Sequence, residues 1–422
     1  MNGCIGRPAT CSRWCAGCSV DGRGCSRSRR VCCGGNCVSR SMPACRRMTS
    51  SVSWRVWSGS LRPCARGADM RAIDIGNRQI GPGHPVFVIA EAGCNHENDF
   101  ARAQEMVAAA ARAGADAIKL QSFSPETLVT RDAPKFWDIP GPGRTQYDEF
   151  AEIQPRFTRE QYLTLQALAK EQGIALFSTP CDEAWTDFLD GLGVPLFKIA
   201  SMDVTHLPLL RHVAGKGKPI ILSTGASSLS EVQDAVEAIR AEGNHDIVLL
   251  HCISNYPTAR EDVNLRMMQH LAQAFPECVI GYSDHTIPGA GLDATMLAVA
   301  AGAKVLEKHF TFDRSRPGYD HEISADYDGL RRCVAQFREV ERVLGRSVKA
   351  PIESEASARQ LGRRSVVASV AIPKGARITP EMLAVKRPGT GIAPKELPQV
   401  VGRIARREVR ADQVLTWECL ER

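Results

Sequence analysis

The sequence predicts an α/β protein, a (β/α)8 TIM barrel followed by a small β-rich domain, and three observations predict it. From about Pro85 onward, eight short apolar runs rich in β-branched residues alternate with helix-forming segments. Glycine or proline punctuates each beat. The chain, at 422 residues, exceeds the roughly 250 of one barrel by enough for one further small domain. Strict alternation of strand and helix implies a parallel sheet covered on both faces. Eight units close into a barrel more naturally than they open into a doubly wound sheet, which spacing alone leaves possible.

Residues 1–69 stand apart from that pattern. They hold ten of the sixteen cysteines, twelve arginines, no lysine and only two acids, Asp21 and Asp69. Arg, Cys, Ser and Gly recur there without a period, so the segment is read as disordered, or as an upstream stretch joined to the true start, and set outside the fold. Cys15-x-x-Cys18 and Cys33-x-x-x-Cys37 have spacings that a zinc module or a disulfide scaffold would use, but no hydrophobic pattern accompanies them. Twelve arginines less two acids give this segment +10, which leaves −4 of the overall +6 for the body. The basic balance therefore does not indicate a nucleic-acid or anionic-membrane surface on the body. Six scattered body cysteines, with no apolar signal segment and no run of the roughly eighteen apolar residues that a spanning helix needs, predict a cytoplasmic protein.

The barrel is assigned to residues 70–345. Its strand runs are VFVIAEAG from Val86, DAIKLQS from Asp116, IALFSTP from Ile174, PLFKIAS from Pro195, PIILSTG from Pro219, DIVLLHC from Asp246, CVIGYSD from Cys278 and KVLEKHF from Lys304. ARAQEMVAAAARAG ends at Gly114, TREQYLTLQALAKEQG runs from Thr158 to Gly173, and YDGLRRCVAQFREVERVLG closes at Gly345. SSLSEVQDAVEAIRAEG carries a serine cap followed three residues on by Glu231 and ends at Gly243. Residues 122–157 are too long for an ordinary strand-to-helix connection and predict an ordered loop over the mouth. Residues 346–362 read as a linker, and residues 363–422 as a domain of short strands broken by Pro373, Gly375, Pro388, Gly389 and Gly391.

In such a barrel chemistry sits at the C-terminal ends of the strands. Polar residues gather there: Glu91 and Asn95–His96, Lys119 and Gln121, Ser178–Thr179, Lys198 and Ser201, Ser223–Thr224, His251 with Ser254 and Tyr256, Ser283–Asp284–His285, and Glu307–Lys308–His309. His285 and His309, on adjacent strand tips, are the candidate metal pair. Lys119 and Lys198 interrupt apolar strands, where an unpaired ammonium is costly to bury. Either they bind a substrate anion with Thr179, Ser201, Ser223 and Ser283, or they pair internally with Glu91, Asp203 or Glu307. Schiff-base chemistry on a lysine is the mechanistic alternative.

Taken together, IAEAGCNHENDF, AIKLQSF, LFKIAS, KPIILSTGASSLSEV, HCISNYPT, IGYSDHT and LEKHFTFDRSRPGYDH resemble, in order, the N-acetylneuraminate (sialic acid) synthase family. The trailing module with VKRPGTG resembles that family's antifreeze-like SAF domain, so the likeness spans about Ile73 to Glu421. The resemblance implies condensation of phosphoenolpyruvate with an N-acetylhexosamine, typically N-acetylmannosamine, to a nonulosonic acid and phosphate, with manganese or magnesium present. It implies His285 and His309 as metal ligands. Lys119, Gln121, Thr179, Lys198, Ser201, Ser223, Ser254, Tyr256 and Ser283 would bind phosphoenolpyruvate. Glu91, Lys119 and Lys198 are the implied catalytic residues, and Glu91, Asp203, Asp320 and Arg387 the implied sugar contacts. A homodimer in which the SAF domain reaches the partner's active site is also implied. Asp203, Ser254 and Tyr319 depart from the pattern of some relatives near the sugar, so legionaminic- and pseudaminic-acid-type substrates stay open. So does another phosphoenolpyruvate aldol-type enzyme, and so does a non-catalytic sugar-binding protein on the same fold.

Overall fold

The computed structural model describes residues 71–421 except residues 77, 138–142 and 290–292, so the basic segment 1–69 and its cysteine pairs lie outside the described residues. Two short strands come first, β1 (Ile73–Ile75) and β2 (Arg78–Ile80), an antiparallel hairpin that the strand-helix alternation did not reveal. The barrel strands follow as β3 (Phe87–Gly93), β4 (Ala117–Ser122), β5 (Ala175–Pro180), β6 (Phe197–Ile199), β7 (Ile220–Ser223), β8 (Ile247–His251), β9 (Val279–Asp284) and β10 (Val305–His309). All eight fall on the predicted runs. Their order is β5-β4-β3-β10-β9-β8-β7-β6, so the first barrel strand lies beside the last. At the remaining seam β5 stands beside β6, and among the described residues no ladder bonds them.

Every residue of these eight strands except Gln121 and Ala175 is buried, which is why the runs are continuously apolar rather than alternating. Their outer faces pack on the intervening helices, whose starts are set by side-chain caps. Thr145 with Asp148, Thr158 with Gln161 and Ser228 with Glu231 form reciprocal capping boxes. At the other end of the barrel the hairpin's Ile73, Ile75 and Ile80 join the core. There, too, Arg338 of the helix Tyr327–Leu344 donates to Val86 O at 2.7 Å and to Asp116 Oδ2 at 3.1 Å, tying the last helix to the first two barrel strands.

The expected mouth loop is ordered but not structureless. It carries helices Pro125–Leu128 and Gln146–Ile153. The expected linker likewise contains a 3-10 turn at Glu353–Glu355 and a π-helical turn at Ala358–Gly362. The small domain has its own apolar core, including Val366, Ile372, Ile378, Val400, Leu415 and Leu420. Its strand content is lower than expected. Only β11 (Ser365–Ala368) and β12 (Leu383–Lys386) pair as a ladder among the described residues, and isolated bridges such as Val367 with Val414 and Ile372 with Val409 join the rest. Glycines and prolines cut the chain there before longer ladders can form.

Gly281 of β9 shows how closely the strands pack. A Cβ there would stand 2.4 Å from Val305 O and 2.6 Å from Leu250 Cδ2 on the flanking strands. Gly281→Ala is therefore expected to destabilise the barrel by about 1–3 kcal/mol, since overpacking forces backbone shifts. Thermal unfolding checks this, and an unchanged midpoint would contradict the packing described.

Candidate active site

Strand register builds the centre of the mouth. Glu91 on β3 is level with Lys119 on β4 and with His309 on β10. Lys119 Nζ lies 2.6 Å from Glu91 Oε2 and 3.8 Å from Glu307 Oε1, and donates to Thr179 Oγ1 at 3.1 Å. Gln121 Nε2 donates to Glu91 Oε1 at 3.2 Å, and Ser283 Oγ donates to Glu307 Oε1 at 3.2 Å. A bulge between Glu91 and Gly93 re-aims β3 at this point. Gly93 takes φ +50°, and a Cβ on it would press to 3.2 Å from Glu91 Oε1.

Burial and charge divide these groups by protonation. Burial raises the Glu91 carboxyl to about 7 despite the pull of Lys119. Burial also pushes Glu307 upward, but Lys119 and Lys198 outweigh it and hold that carboxyl below its ordinary range. Lys119 loses by burial and regains more from Glu307 and Glu91, so its ammonium stays charged. Two carboxylates whose environments drive them apart are the usual signature of one proton carrier and one fixed charge.

Lys198 on β6 is in a different position. It is 3% exposed, yet among the described residues no carboxylate lies within ion-pair distance, and its ammonium donates only to Ile199 O at 3.0 Å. Burial lowers its pKa. The backbone packs tightly at Gly225, whose N–H donates to Ser201 Oγ at 3.0 Å. A Cβ at Gly225 would stand 2.3 Å from Ser254 Oγ, 2.9 Å from Cys252 Sγ and 3.0 Å from Ser201 Oγ. Ser254 Oγ is buried and has no hydrogen-bond partner among the described residues. Lys198, Ser201, Ser223, Thr179 and Ser283 all line the cavity, a donor-rich surface suited to an anion. Ser254 sits behind that wall rather than on it.

His285 and His309 do approach one another, with ring centroids 5.4 Å apart, and Tyr256 stacks on His285 at 4.2 Å. His285 Nδ1 lies 2.7 Å from Ile253 O. A carbonyl only accepts, so Nδ1 carries the proton and Nε2 keeps its lone pair. His309 Nδ1 is buried without a hydrogen bond, 3.4 Å from Asp320 Oδ2. Burial lowers His285 to about 4 and His309 well below its ordinary value, so both imidazoles are neutral near pH 7, as metal ligands must be. Among the described residues no third His, Cys, Asp or Glu completes a ready-made metal cluster. The donor set fits a divalent ion that keeps its remaining positions for water or substrate.

Several strand-end residues named from the sequence face the other way, because neighbours on a strand point to opposite faces. Ser178 bonds Ser122, His251 bonds Val263 O, and Thr224 bonds Leu250 O. Lys308 pairs with Asp284 at 2.6 Å behind the histidines. Asn95 bonds Phe310 O and Ser324, and accepts from the Asp320 N–H at 3.2 Å, so it orients Asp320 without lining the cavity. His96 is buried against Phe157. Asp203 and Asp320 do line the cavity, as do Gln121 and Tyr256. Arg387 is exposed on the small domain just after β12 and is not among the residues lining this chain's cavity. Glu307, read from the sequence as a strand-end residue and a possible lysine partner, lines the cavity as an ionised carboxylate. Missed from the sequence were the lid residues Leu128, Phe136, Trp137, Glu149, Phe150 and Ile153, which wall the outer cavity and had no signal beyond the loop's length and composition.

Comparison with known proteins agrees with this geometry. Residues 106–349 match the NeuB family and residues 363–421 match the SAF domain. The chain is 41% identical over 353 residues to the N,N'-diacetyllegionaminic acid synthase of Legionella pneumophila, covering 82% of this chain and 98% of that protein. It is 35% identical over 347 residues to the human N-acetylneuraminate-9-phosphate synthase, covering 82% and 95%. Among solved structures, the N-acetylneuraminic acid synthetase of Leptospira borgpetersenii, in complex with citrate, superposes with a TM-score of 0.61 at 35% identity, covering 68% of this chain and 94% of that one. The chain belongs to the NeuB family, as an N-acetylneuraminate-synthase-like enzyme with a C-terminal SAF domain.

Proposed function

We propose that this enzyme condenses phosphoenolpyruvate with an open-chain N-acylated hexosamine, giving a nonulosonic acid and phosphate. The observation that carries the reading is Lys198, a buried ammonium with no carboxylate within ion-pair distance among the described residues, facing a cavity lined by Thr179, Ser201, Ser223 and Ser283. A buried charge of this kind calls for a counter-charge, and here a substrate anion supplies it. Lys119, Lys198, Thr179, Ser201, Ser223 and Ser283 hold the carboxylate and phosphate of phosphoenolpyruvate, with Gln121 and Tyr256 beside them.

The chemistry then follows from placement. The methylene carbon of phosphoenolpyruvate attacks the sugar's aldehyde carbon, a carbon–carbon bond forms, and the aldehyde oxygen takes up a proton. Positive character left on the phosphate-bearing carbon is captured by water, which gives up a proton to Glu91. The carbon now bears both hydroxyl and phosphate; its bond to the phosphate oxygen breaks with the electron pair leaving on phosphate, the hydroxyl gives up its proton, balancing the one taken up at the aldehyde oxygen, and a ketone remains. A divalent ion, manganese or magnesium, held by His285 and His309 would polarise the aldehyde oxygen. Glu307, kept ionised, steadies Lys119 and offsets charge on the reacting carbon. Asp203 and Asp320 hold sugar hydroxyls from the rim. Arg387 does not line its own chain's cavity, so it serves a mouth only from a second copy, and a homodimer belongs to the proposal.

Lysine 198, with its lowered pKa, is also what imine chemistry would use. Borohydride trapping with pyruvate separates the two: no mass added to Lys198 is expected, and a reduced adduct there would replace the proposed mechanism.

Phosphate release from phosphoenolpyruvate, with manganese and a panel of N-acyl hexosamines, tests the activity, and the product's mass must equal both carbon skeletons combined. Silence across the panel would sink the proposal. His309→Ala should abolish metal-dependent turnover while circular dichroism stays native. Undiminished turnover in that variant would remove the metal role.

The pH dependence has a definite sign. With its carboxyl near 7, Glu91 is protonated below that pH and able to accept water's proton above it. On this basis kcat/KM rises as pH increases through about 7, because kcat/KM reports groups of the free enzyme. Glu91→Gln should cost about 10²–10⁴-fold and flatten that limb. A variant that keeps the limb would assign it to another group.

A further inference from the structure

Behind the two histidines lies a polar network that the proposed reaction does not use. Asp284 precedes His285 on β9, Lys308 precedes His309 on β10, and the ladder sets Lys308 level with Asp284. Lys308 Nζ lies 2.6 Å from Asp284 Oδ2 and donates to Thr286 O at 2.6 Å. Asp284 Oδ1 accepts from the Tyr282 hydroxyl at 2.8 Å and from the Thr286 N–H at 3.2 Å, while Oδ2 accepts from Thr286 Oγ1 at 3.0 Å. All four residues are buried, and none of them lines the active cavity.

An ion pair in such a place is a poor source of stability. Apolar side chains of similar volume would fill the space without loss and often with gain, because the desolvation of both charges is hard to recover. Fixed geometry is what the pair adds, and its bonds fall on the residues either side of His285 and on the residue before His309. The Asp284 carboxylate closes the backbone turn over residues 284–286 in which His285 sits. His285 O accepts from the Thr258 N–H at 3.0 Å and its Nδ1 donates to Ile253 O at 2.7 Å, so that ring is aimed by main chain and side chain together.

His309 has less to hold it. Its Nδ1 is buried without a hydrogen bond, and its place follows from its backbone, whose O accepts from the Ala325 N–H at 2.7 Å. The paired register of β9 and β10 ends at Asp284 and Lys308, one residue short of both imidazoles. Past that level the bond from Lys308 to Thr286 O carries the tie on beyond His285.

Resting on the metal role in the reading above, we propose that the Asp284–Lys308 pair is a positioning device that sets the spacing of the two imidazoles, and with it the affinity of the site for a divalent ion. Neither residue touches the ion or a substrate. Metal–ligand distances tolerate only about 0.2 Å of error, and partners behind the ligands commonly account for about 10–100-fold in metal affinity. A strand tip displaced by about 0.5 Å, too little to unfold a barrel, is enough to spoil such a site.

Manganese binding by the full-length enzyme, read without turnover from the electron paramagnetic resonance signal of the free ion, tests this. Lys308→Met alone would strand a buried carboxylate. Combined with Asp284→Asn it leaves no buried charge, and the amide oxygen still accepts from Tyr282 and from the Thr286 N–H. The double variant should melt close to the parent, bind manganese about tenfold or more weakly, and bind phosphoenolpyruvate as the parent does in calorimetry. Parent-like manganese affinity would reduce the pair to a brace and overturn the proposal, and so would an equal loss of phosphoenolpyruvate affinity, the mark of a mouth loosened throughout. If the double variant does not fold, Thr286→Val carries the test, since it keeps both charges paired and removes only the hydroxyl held to Asp284. Weaker manganese binding is expected there too, and unchanged binding would overturn the proposal. A parent enzyme that takes up no manganese would overturn the metal role itself and this proposal with it, whereas a parent that binds the ion and variants that bind it equally well would overturn this proposal alone.

Discussion

Keeping charge inside a barrel mouth is the constraint on which the rest of this structure depends. Two lysines and two glutamates are buried within a few ångströms of the strand ends, where an uncompensated ion is costly. Register solves half of the problem, setting Lys119 between Glu91 and Glu307. Lys198 is the unsolved half. That leaves one buried cation on the wall of the cavity that the two neutral histidines also line.

Charge on the reverse faces of the same strands is treated in the opposite manner. Lys308 Nζ lies 2.6 Å from Asp284 Oδ2 and 2.6 Å from Thr286 O, and Tyr282 donates to Asp284 Oδ1 at 2.8 Å. Every partner in that network is supplied by the chain, so it has no call for a ligand. It braces the two strand tips that end in His285 and His309. A satisfied network behind and an unsatisfied one in front hold the same strands rigid and keep their mouth side receptive.

Much of this was legible in the chain. Eight buried strands read as eight apolar runs because both faces are covered, and lysines within them were conspicuous because nothing else in such a strand is charged. What could not be read was which of two neighbours faces inward. Ser178, Asp284 and Lys308 close the same apolar runs as Thr179, Ser283 and His309, and only strand orientation separates them. Glu307 appeared as a candidate partner for lysine, but its fixed negative charge depends on distances between three strands. The lid escaped for another reason: Phe136, Trp137 and Phe150 lie in a segment with no periodicity, and a loop's path is set by contacts distant in sequence.

That division decides where the mouth tolerates change. Groups proposed to act on phosphoenolpyruvate stand on strands whose shifts are resisted by the whole barrel, as Gly281 between Leu250 and Val305 shows. The lid residues that wall the outer cavity stand on a loop and on short helices, where a changed side chain disturbs only local packing. A substitution among Phe136, Trp137 and Phe150 therefore alters the outer surface of the cavity while the ion pairs of Lys119 with Glu91 and Glu307 stay held by the strands below.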